Sequence, residues 1–282
     1  MVVIAAAVWG TWSLFLRPAG VSTLVSSPLI FLVMGVVSLP AALRGPRSTW
    51  DRGTVGLLLA NAALDGLNVV AFFGAMQCTT VAIAVLTHYL APILIALVAP
   101  RVDGVVTPGA RPAAVVALLG LAIILEPWHA PAAGAVAGAL LGLASAVCYC
   151  GNVFAVRRIA ARIGPARAQC YHALIAGVAM APMAIGRTHE LTGSGLALLV
   201  AGASTIGAAA GVVFSLGLLR IGSARTAVLT FIEPVVAVAV GALVWGEPLH
   251  PLAAVGGALV LGAGILVARN AGDPNPRTPV AR

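Results

Sequence analysis

The sequence predicts an all-α polytopic membrane protein: ten transmembrane helices forming two inverted five-helix repeats, with N- and C-termini cytoplasmic. Composition, the spacing of apolar runs and an internal self-similarity predict it. Of 282 residues, 61% are hydrophobic and 9% charged, against about 45–50% and about 25% in soluble domains. A water-soluble globule is excluded. There is no lysine, and 16 arginines against 8 acids give a net charge of +8. Nucleic-acid binding needs a basic stripe on a folded surface, whereas these arginines stand singly or in small groups between apolar runs. The expected surroundings are therefore the lipid bilayer, with no nucleic acid. Cys78, Cys148, Cys150 and Cys170 lie in or beside apolar stretches, where free Cys behaves as a small hydrophobe. Cys148 and Cys150 are two apart, hence on different sides of a helix, and no His or acid completes a ligand set. No disulfide, metal or cofactor is expected.

A bilayer core of about 30 Å takes roughly 20 helical residues. Ten apolar runs fit: Val2–Leu16, Ser22–Leu43, Thr54–Met76, Thr80–Ala99, Ala113–Leu125, Ala135–Val156, Ala168–Ile185, Gly195–Leu218, Ser223–Trp245 and Leu252–Ala268. The first is short, so either the true start lies upstream of Met1 or this helix tilts little. The fifth can borrow residues from the Pro-rich linker before it. No cleavable signal peptide is expected, since the first run is one of many.

Orientation follows from the arginines, which cytoplasmic loops carry in excess. With the N-terminus inside, the cytoplasmic segments hold Arg44, Arg47 and Arg52; Arg101 and Arg111; Arg157, Arg158, Arg162 and Arg167; Arg220 and Arg225; and Arg269, Arg277 and Arg282. Only Arg17 and Arg187 fall outside. An odd number of spans scrambles this partition.

Ala84-Val85-Leu86-Thr87 recurs as Ala227-Val228-Leu229-Thr230, each followed closely by a proline, Pro92 or Pro234, at an offset of 142 to 143. The same offset brings Gly35 and Pro40 onto Gly177 and Pro182, and Gly120 and Ile123 onto Gly262 and Ile265. Between spans one and six, Ala5, Ala7, Val8 and Phe15 match Ala144, Ala146, Val147 and Phe154 at an offset of 139. Five-span halves follow: residues 1–126, residues 132–269, and a short polar cytoplasmic tail, 270–282. Because five is odd, the second half inserts inverted. Inverted repeats characterise secondary transporters, whose site lies near the midplane where interrupted helices meet. Pro92 and Pro234 are the expected helix breaks, since a proline frees the carbonyl four residues earlier. The first copy carries one extra residue before its proline, which a bulge in span four can absorb.

These residues resemble the EamA-type members of the drug/metabolite transporter superfamily. The resemblance covers nearly the whole chain: two five-span repeats, Trp9-Gly10, the Leu90-Ala91-Pro92 of span four, and Phe231-Ile232-Glu233-Pro234 leading to Gly246-Glu247-Pro248. It implies a multi-pass inner-membrane carrier that exports or exchanges small metabolites, often amino acids. The first four helices of each half line the cavity and the fifth is peripheral. It names no substrate. Members commonly carry a polar or charged residue early in span two, where this chain has Ser26-Ser27-Pro28.

A charge at the bilayer centre costs at least about 2.5–3.5 kcal/mol and should face protein or a water-filled cavity. Asp65 and Glu233 are the acids well inside spans. Asp65 lies about 16 Å into span three at 1.5 Å per residue, and Asn61, Asp65 and Asn68 share a face by i, i+4, i+7 spacing. This face reads as cavity lining, or as a helix–helix hydrogen-bond cluster. Their repeat partners Ser204, Ala208 and Gly211 make the cavity asymmetric. Glu233 serves either substrate contact or the helix break. His88, beside Tyr89 at mid-depth, can titrate in the working range or stay neutral and hydrogen-bonded. Trp9 and Trp12 sit too deep to be interfacial anchors and offer walls for an apolar or aromatic solute, whereas Trp50, Trp128 and Trp245 fit interface belts. Asn152, Ser204, Tyr171 and His172 complete the candidates, the Tyr171-His172 pair fitting an interface equally. Gly134, Gly138 and Gly142, and Gly207 and Gly211, form stripes that let helices approach.

These features favour a secondary transporter moving a small solute by alternating access, with Asp65 binding a cationic or amino group and exchanging it for a proton. The Gly-rich faces permit a homodimer. The alternatives are a non-transporting scaffold or sensor, which expects soluble domains or long loops, and an intramembrane enzyme, which expects a motif such as His-Glu-x-x-His or Gly-x-Ser-x-Gly. No nucleotide-binding motif is present, so the energy is expected from a gradient.

Overall fold

The computed structural model describes residues 1–45, 48, 50–129, 134–248 and 251–269, and all regular elements among them are helical. The expected tail at 270–282, with Arg277 and Arg282, and Arg47 lie outside the described residues. The elements are α1 (Val2–Trp9), α2 (Ser13–Ala19), α3 (Thr23–Arg44), α4 (Arg52–Cys78), α5 (Val81–His88), α6 (Ala91–Val102), α7 (Ala110–Leu125), α8 (Ala135–Ile163), α9 (Pro165–Met180), α10 (Gly193–Gly202), α11 (Ala210–Ile221), α12 (Ser223–Leu229), α13 (Ile232–Trp245) and α14 (Leu252–Arg269). Among the described residues, eight segments are long and apolar enough to cross a membrane: Val2–Ala19, Thr23–Arg44, Arg52–Cys78, Val81–Val102, Ala135–Ile163, Gly193–Ile221, Ser223–Trp245 and Leu252–Arg269. α7 and α9 have 16 residues each. α7 begins at Ala110, drawing on the Pro-rich linker as expected.

Side-chain caps start several helices, because the first N–H groups of a helix lack partners. Asp51 accepts from Thr54 N at 2.6 Å to open α4, and Thr192 accepts from Gly195 N at 3.0 Å to open α10. Turns of a single residue, Gly164 (φ 89°) and Gly222 (φ 79°), join α8 to α9 and α11 to α12. Only glycine takes this backbone without steric cost.

The long helices pack in pairs: α4 along α8, α3 along α9, α7 along α14, α1 on α11 with α2 on α10, and α6 on α12. Small residues permit the approach, as the glycine stripes suggested. A Cβ on Gly35 of α3 would meet Leu174 of α9, and one on Gly177 of α9 would meet Leu32 of α3. Gly138 and Gly142 of α8 face Thr79 and Thr87. The outer surface is apolar, with Leu243, Ile185 and Val136 among its most exposed side chains, as a chain solvated by lipid requires.

Four of the long apolar segments depart from plain α-helix among the described residues. Between α1 and α2, Thr11 N and Trp12 N bond to Val8 O and Trp9 O in a tighter turn. Tyr89-Leu90 separates α5 from α6, and Thr230-Phe231 separates α12 from α13. These two breaks share their chemistry. Thr87 and Thr230 each donate a hydroxyl to the carbonyl three residues back, Ala84 or Ala227. Leu90 N and Phe231 N likewise bond Thr87 O and Val228 O, both at 3.3 Å. Pro92 and Pro234 fall in the first turns of α6 and α13, where a missing N–H costs nothing. The extra residue of the first copy lengthens α5 by one and needs no bulge. The local widening lies instead in span eight, as a π-helical turn over Ala203–Ala209.

Candidate functional site

The two breaks meet, with the rings of Tyr89 and Phe231 5.5 Å apart. Around this point α4, α5, α8 and α13 bring polar groups together. Asn68 on α4, Ser145 on α8 and His88 on α5 form a chain. Ser145 Oγ donates to Asn68 Oδ1 at 2.7 Å, and His88 Nδ1 lies 2.7 Å from Ser145 Oγ. With its proton committed to Asn68, Ser145 accepts, so Nδ1 of His88 carries the hydrogen. Phe72 and Tyr149 flank the His88 ring, at 4.8 and 5.5 Å. Glu233 is within electrostatic reach of the Tyr89 and Tyr149 hydroxyls, and Tyr149 is within reach of Asp65 as well.

Asp65 turns to α9. Its Oδ2 lies 3.0 Å from His172 Nε2, while His172 Nδ1 lies 3.1 Å from Ala168 O. The His172 side chain is 5% exposed and that of Asp65 19%. Tyr171 goes the other way and packs edge-on against Trp50 at 5.3 Å, so the two neighbours divide between core and rim. Asn61 is buried with Oδ1 unpartnered, as is Gln169 Nε2 on α9.

The remaining candidates stand apart from this cluster. Trp9 donates Nε1 to Ile206 O at 3.0 Å, inside the π-helical turn, and its ring lies 4.8 Å from Phe214. Trp12 packs toward Gly202. Ser204 bonds back to Val200 O within its own helix at 2.7 Å. Asn152 is buried on α8, one turn past Tyr149. Ser145 and Tyr149 were not singled out from the sequence, although Ser145, Tyr149 and Asn152 repeat the i, i+4, i+7 spacing of Asn61, Asp65 and Asn68.

An ion pair closes each end of the molecule. Arg157 of α8 pairs with Asp103, just past α6, at 2.5 Å, and Asp103 Oδ2 also accepts from Ser223 N, the first residue of α12. At the other end Arg17 of α2 pairs with Glu247, just past α13, and lies 5.3 Å over the Trp245 ring. Trp245 Nε1 donates to Ser13 Oγ at 3.1 Å. The first pair is the drier, Asp103 being 7% exposed against 48% for Glu247. Gly246 caps α13 in the left-handed conformation (φ 67°), which explains the Gly-Glu-Pro motif. The glycine ends the helix and the glutamate anchors Arg17.

Loop carboxylates are also tied down. Thr54 hydrogen bonds hold the Asp51 carboxyl below its ordinary value. Glu190 accepts from Ser22 N at 3.0 Å and pairs with Arg187 at 3.1 Å, and the Ser22 hydrogen bond, above all, holds its carboxyl low.

Helices long and apolar enough to cross a membrane, broken around a polar centre, are those of a polytopic membrane protein. Comparison with known proteins agrees. Residues 136–269 match the EamA-like transporter family. A protein of Archaeoglobus fulgidus described as an uncharacterized transporter is 32% identical over 276 residues, covering 95% of this chain and 94% of that protein. A protein of known crystal structure shares the fold, with a TM-score of 0.83 and 22% identity over 95% of this chain and 96% of that one. The chain belongs to the EamA-like transporter family.

Proposed function

We propose that the protein is a secondary carrier of the inner membrane that exports or exchanges small metabolites bearing an amino or other cationic group, amino acids and related compounds among them, by alternating access. The observation that carries this reading is the meeting of two equivalent helix breaks beside polar groups from four helices. Ten spans with cytoplasmic termini, in repeats 1–126 and 132–269, complete the proposal. In it, α7 and α9 are the two shorter spans.

The packing supports two related halves. Exchanging the halves turns the α4/α8 pair into the pair formed by span eight with span one, and maps the α3/α9 and α7/α14 pairs onto themselves. Leu32 against Gly177 and Leu174 against Gly35 are one contact seen from the two halves. The ion pairs obey the same relation. Arg17–Glu247 joins spans one and nine, and Arg157–Asp103 joins spans six and four. In alternating access each is a latch at one face, and one must open while the other holds.

In the centre, Asp65 and Glu233 supply charge for a cationic group, with Tyr149 between them. His88, Asn68 and Asn61 supply hydrogen bonds and Tyr89 an aromatic wall, which Trp9 and Trp12 extend outside the cluster along spans one and eight. Asn152 and Ser204 lie at the margin. The test is efflux of labelled amino acids and related metabolites from proteoliposomes, with and without a proton gradient. Saturable movement of one amino-bearing class, weakened by Glu233→Gln, is expected. No movement of any such class overturns the reading.

A further inference from the structure

The Asp65–His172 contact has a donor shortage. His172 Nδ1 lies 3.1 Å from Ala168 O. A carbonyl oxygen only accepts, so Nδ1 carries a hydrogen. In a neutral imidazole the other nitrogen is then a bare acceptor. That nitrogen, Nε2, faces Asp65 Oδ2 at 3.0 Å, and a carboxylate has no hydrogen to give. Two acceptors at hydrogen-bond distance repel, and the buried Nε2 of His172 is left without a donor. One additional proton removes the conflict, whether it resides on Nε2 or on Oδ2.

We infer that Asp65 and His172 together form the binding site of one exchangeable proton, and that this proton competes with the solute's cationic group for Asp65. With the proton in place, Asp65 is held to α9 and the pair is neutral. When it leaves to water, the carboxylate loses its reason to face Nε2, turns from His172 and is free to bind a cation. Re-protonation restores the contact and expels the cation, so one proton is exchanged for one positive charge and the balance closes. This deepens the carrier reading and rests on it for the solute.

The surroundings suit a site of this kind. α4 and α9 run side by side in the same direction, Leu57 and Leu58 packing with Ala168 and Tyr171, and Ala62 and Val69 with Ala173, Ala176 and Met180. One turn before Asp65 on α4 is Asn61, and one turn before His172 on α9 is Gln169. Both are buried with an unpartnered polar atom, Asn61 Oδ1 and Gln169 Nε2. Buried polar atoms of this kind are the partners that internal water requires. Phe31 of α3 lies edge-on to the His172 ring at 6.2 Å. The titratable groups around the pair are Tyr149 and the thiols Cys148 and Cys150 on α8, Tyr171 and Cys170 on α9, the Cys170 thiol bonding Gly35 O, His88 on α5, and Glu233 on α13, which Tyr149 reaches as it does Asp65. The arginines of the packed helices sit toward their ends: Arg44 on α3, Arg52 on α4, Arg157, Arg158 and Arg162 on α8, Arg167 on α9 and Arg220 on α11.

The test is a proton count on the purified chain in weakly buffered detergent, titrated with a pH indicator, for wild type, Asp65→Asn and His172→Gln. Each substitution puts a fixed amide donor where the mobile proton sits, so the contact and the melting point should survive. Asp65→Ser gives the same readout if Asp65→Asn does not hold the fold. Wild type should release one proton per chain more than either variant. A variant that titrates like wild type overturns the site, and so does a loss confined to Asp65→Asn, which places the proton on Asp65 alone. The count does not depend on transport. Solute movement with an unchanged count overturns the dyad and leaves the carrier standing. A missing proton in a protein that moves nothing upholds the dyad and overturns the carrier.

Discussion

Gly142 stands where α8 crosses α5 just before the break in span four, and replacing it with alanine probes packing and site together. A Cβ there would lie 2.9 Å from Thr87 Cβ and 3.1 Å from Ala84 O, and nearer still to Thr87 Oγ1. Carbon atoms rest at about 3.5–4.0 Å, so the two helices must part by at least about 0.6–1 Å, and by more to clear the Thr87 hydroxyl. Thr87 has little freedom to yield, because its hydroxyl donates to Ile83 O and Ala84 O at 2.7 and 3.1 Å. Overpacking of this kind costs about 1–3 kcal/mol, and a lost hydroxyl bond adds about 1 kcal/mol. Gly142→Ala should therefore destabilise by about 2–4 kcal/mol. Parting α5 from α8 also separates His88 from Ser145, which now lie 2.7 Å apart. The assay is thermal unfolding in detergent followed by tryptophan fluorescence, beside Gly257→Ala. A Cβ at Gly257 meets nothing within 4 Å, so that variant should gain about 0.5–1 kcal/mol from helix propensity alone. Thr87→Ala in the Gly142→Ala background should recover part of the loss. If Gly142→Ala melts with wild type, the close crossing of α8 and α5 is wrong.

Three further outcomes follow from the same geometry. Arg157→Gln should destabilise more than Arg17→Gln, because its partner Asp103 is buried whereas the Arg17–Glu247 pair is half exposed and such pairs are worth about 0–1 kcal/mol; equal melting points for the two variants contradict this. Trp9→Phe keeps the ring contact with Phe214 but leaves Ile206 O without its indole donor, a loss of about 1 kcal/mol that should appear as a lower melting point. The carboxyls of Asp51 and Glu190 are held below their ordinary values of 3.8 and 4.5. A depressed folded value means that stability is fully present above the ordinary value and is lost as pH falls through the folded one. Melting points should thus decline in acid below about pH 4, and less steeply in Asp51→Asn; identical acid profiles for the two proteins refute the capping role.

The sequence alone carries the parts of the fold that local chemistry decides. Apolar length places the helices, because each must satisfy its own backbone in lipid. Pro92 and Pro234, following the Ala-Val-Leu-Thr repeats, locate the breaks at Tyr89-Leu90 and Thr230-Phe231 to within a turn, because a proline acts on the backbone of the turn before it. Asp65, Glu233 and His88 are legible as site candidates because a polar side chain at mid-depth is costly unless it is used. Tertiary structure alone decides which of these groups meet. Asp65 and His172 are 107 residues apart in sequence, and Asn68 and Ser145 are 77 apart. Such pairings depend on helix rotation and crossing, set by small residues such as Gly35, Gly142 and Gly177 on several helices at once. The same dependence turned Tyr171 and His172, adjacent on one helix, toward rim and core. It also tied Trp9 to the π-helical turn of span eight, a widening that no local signal in that stretch announces.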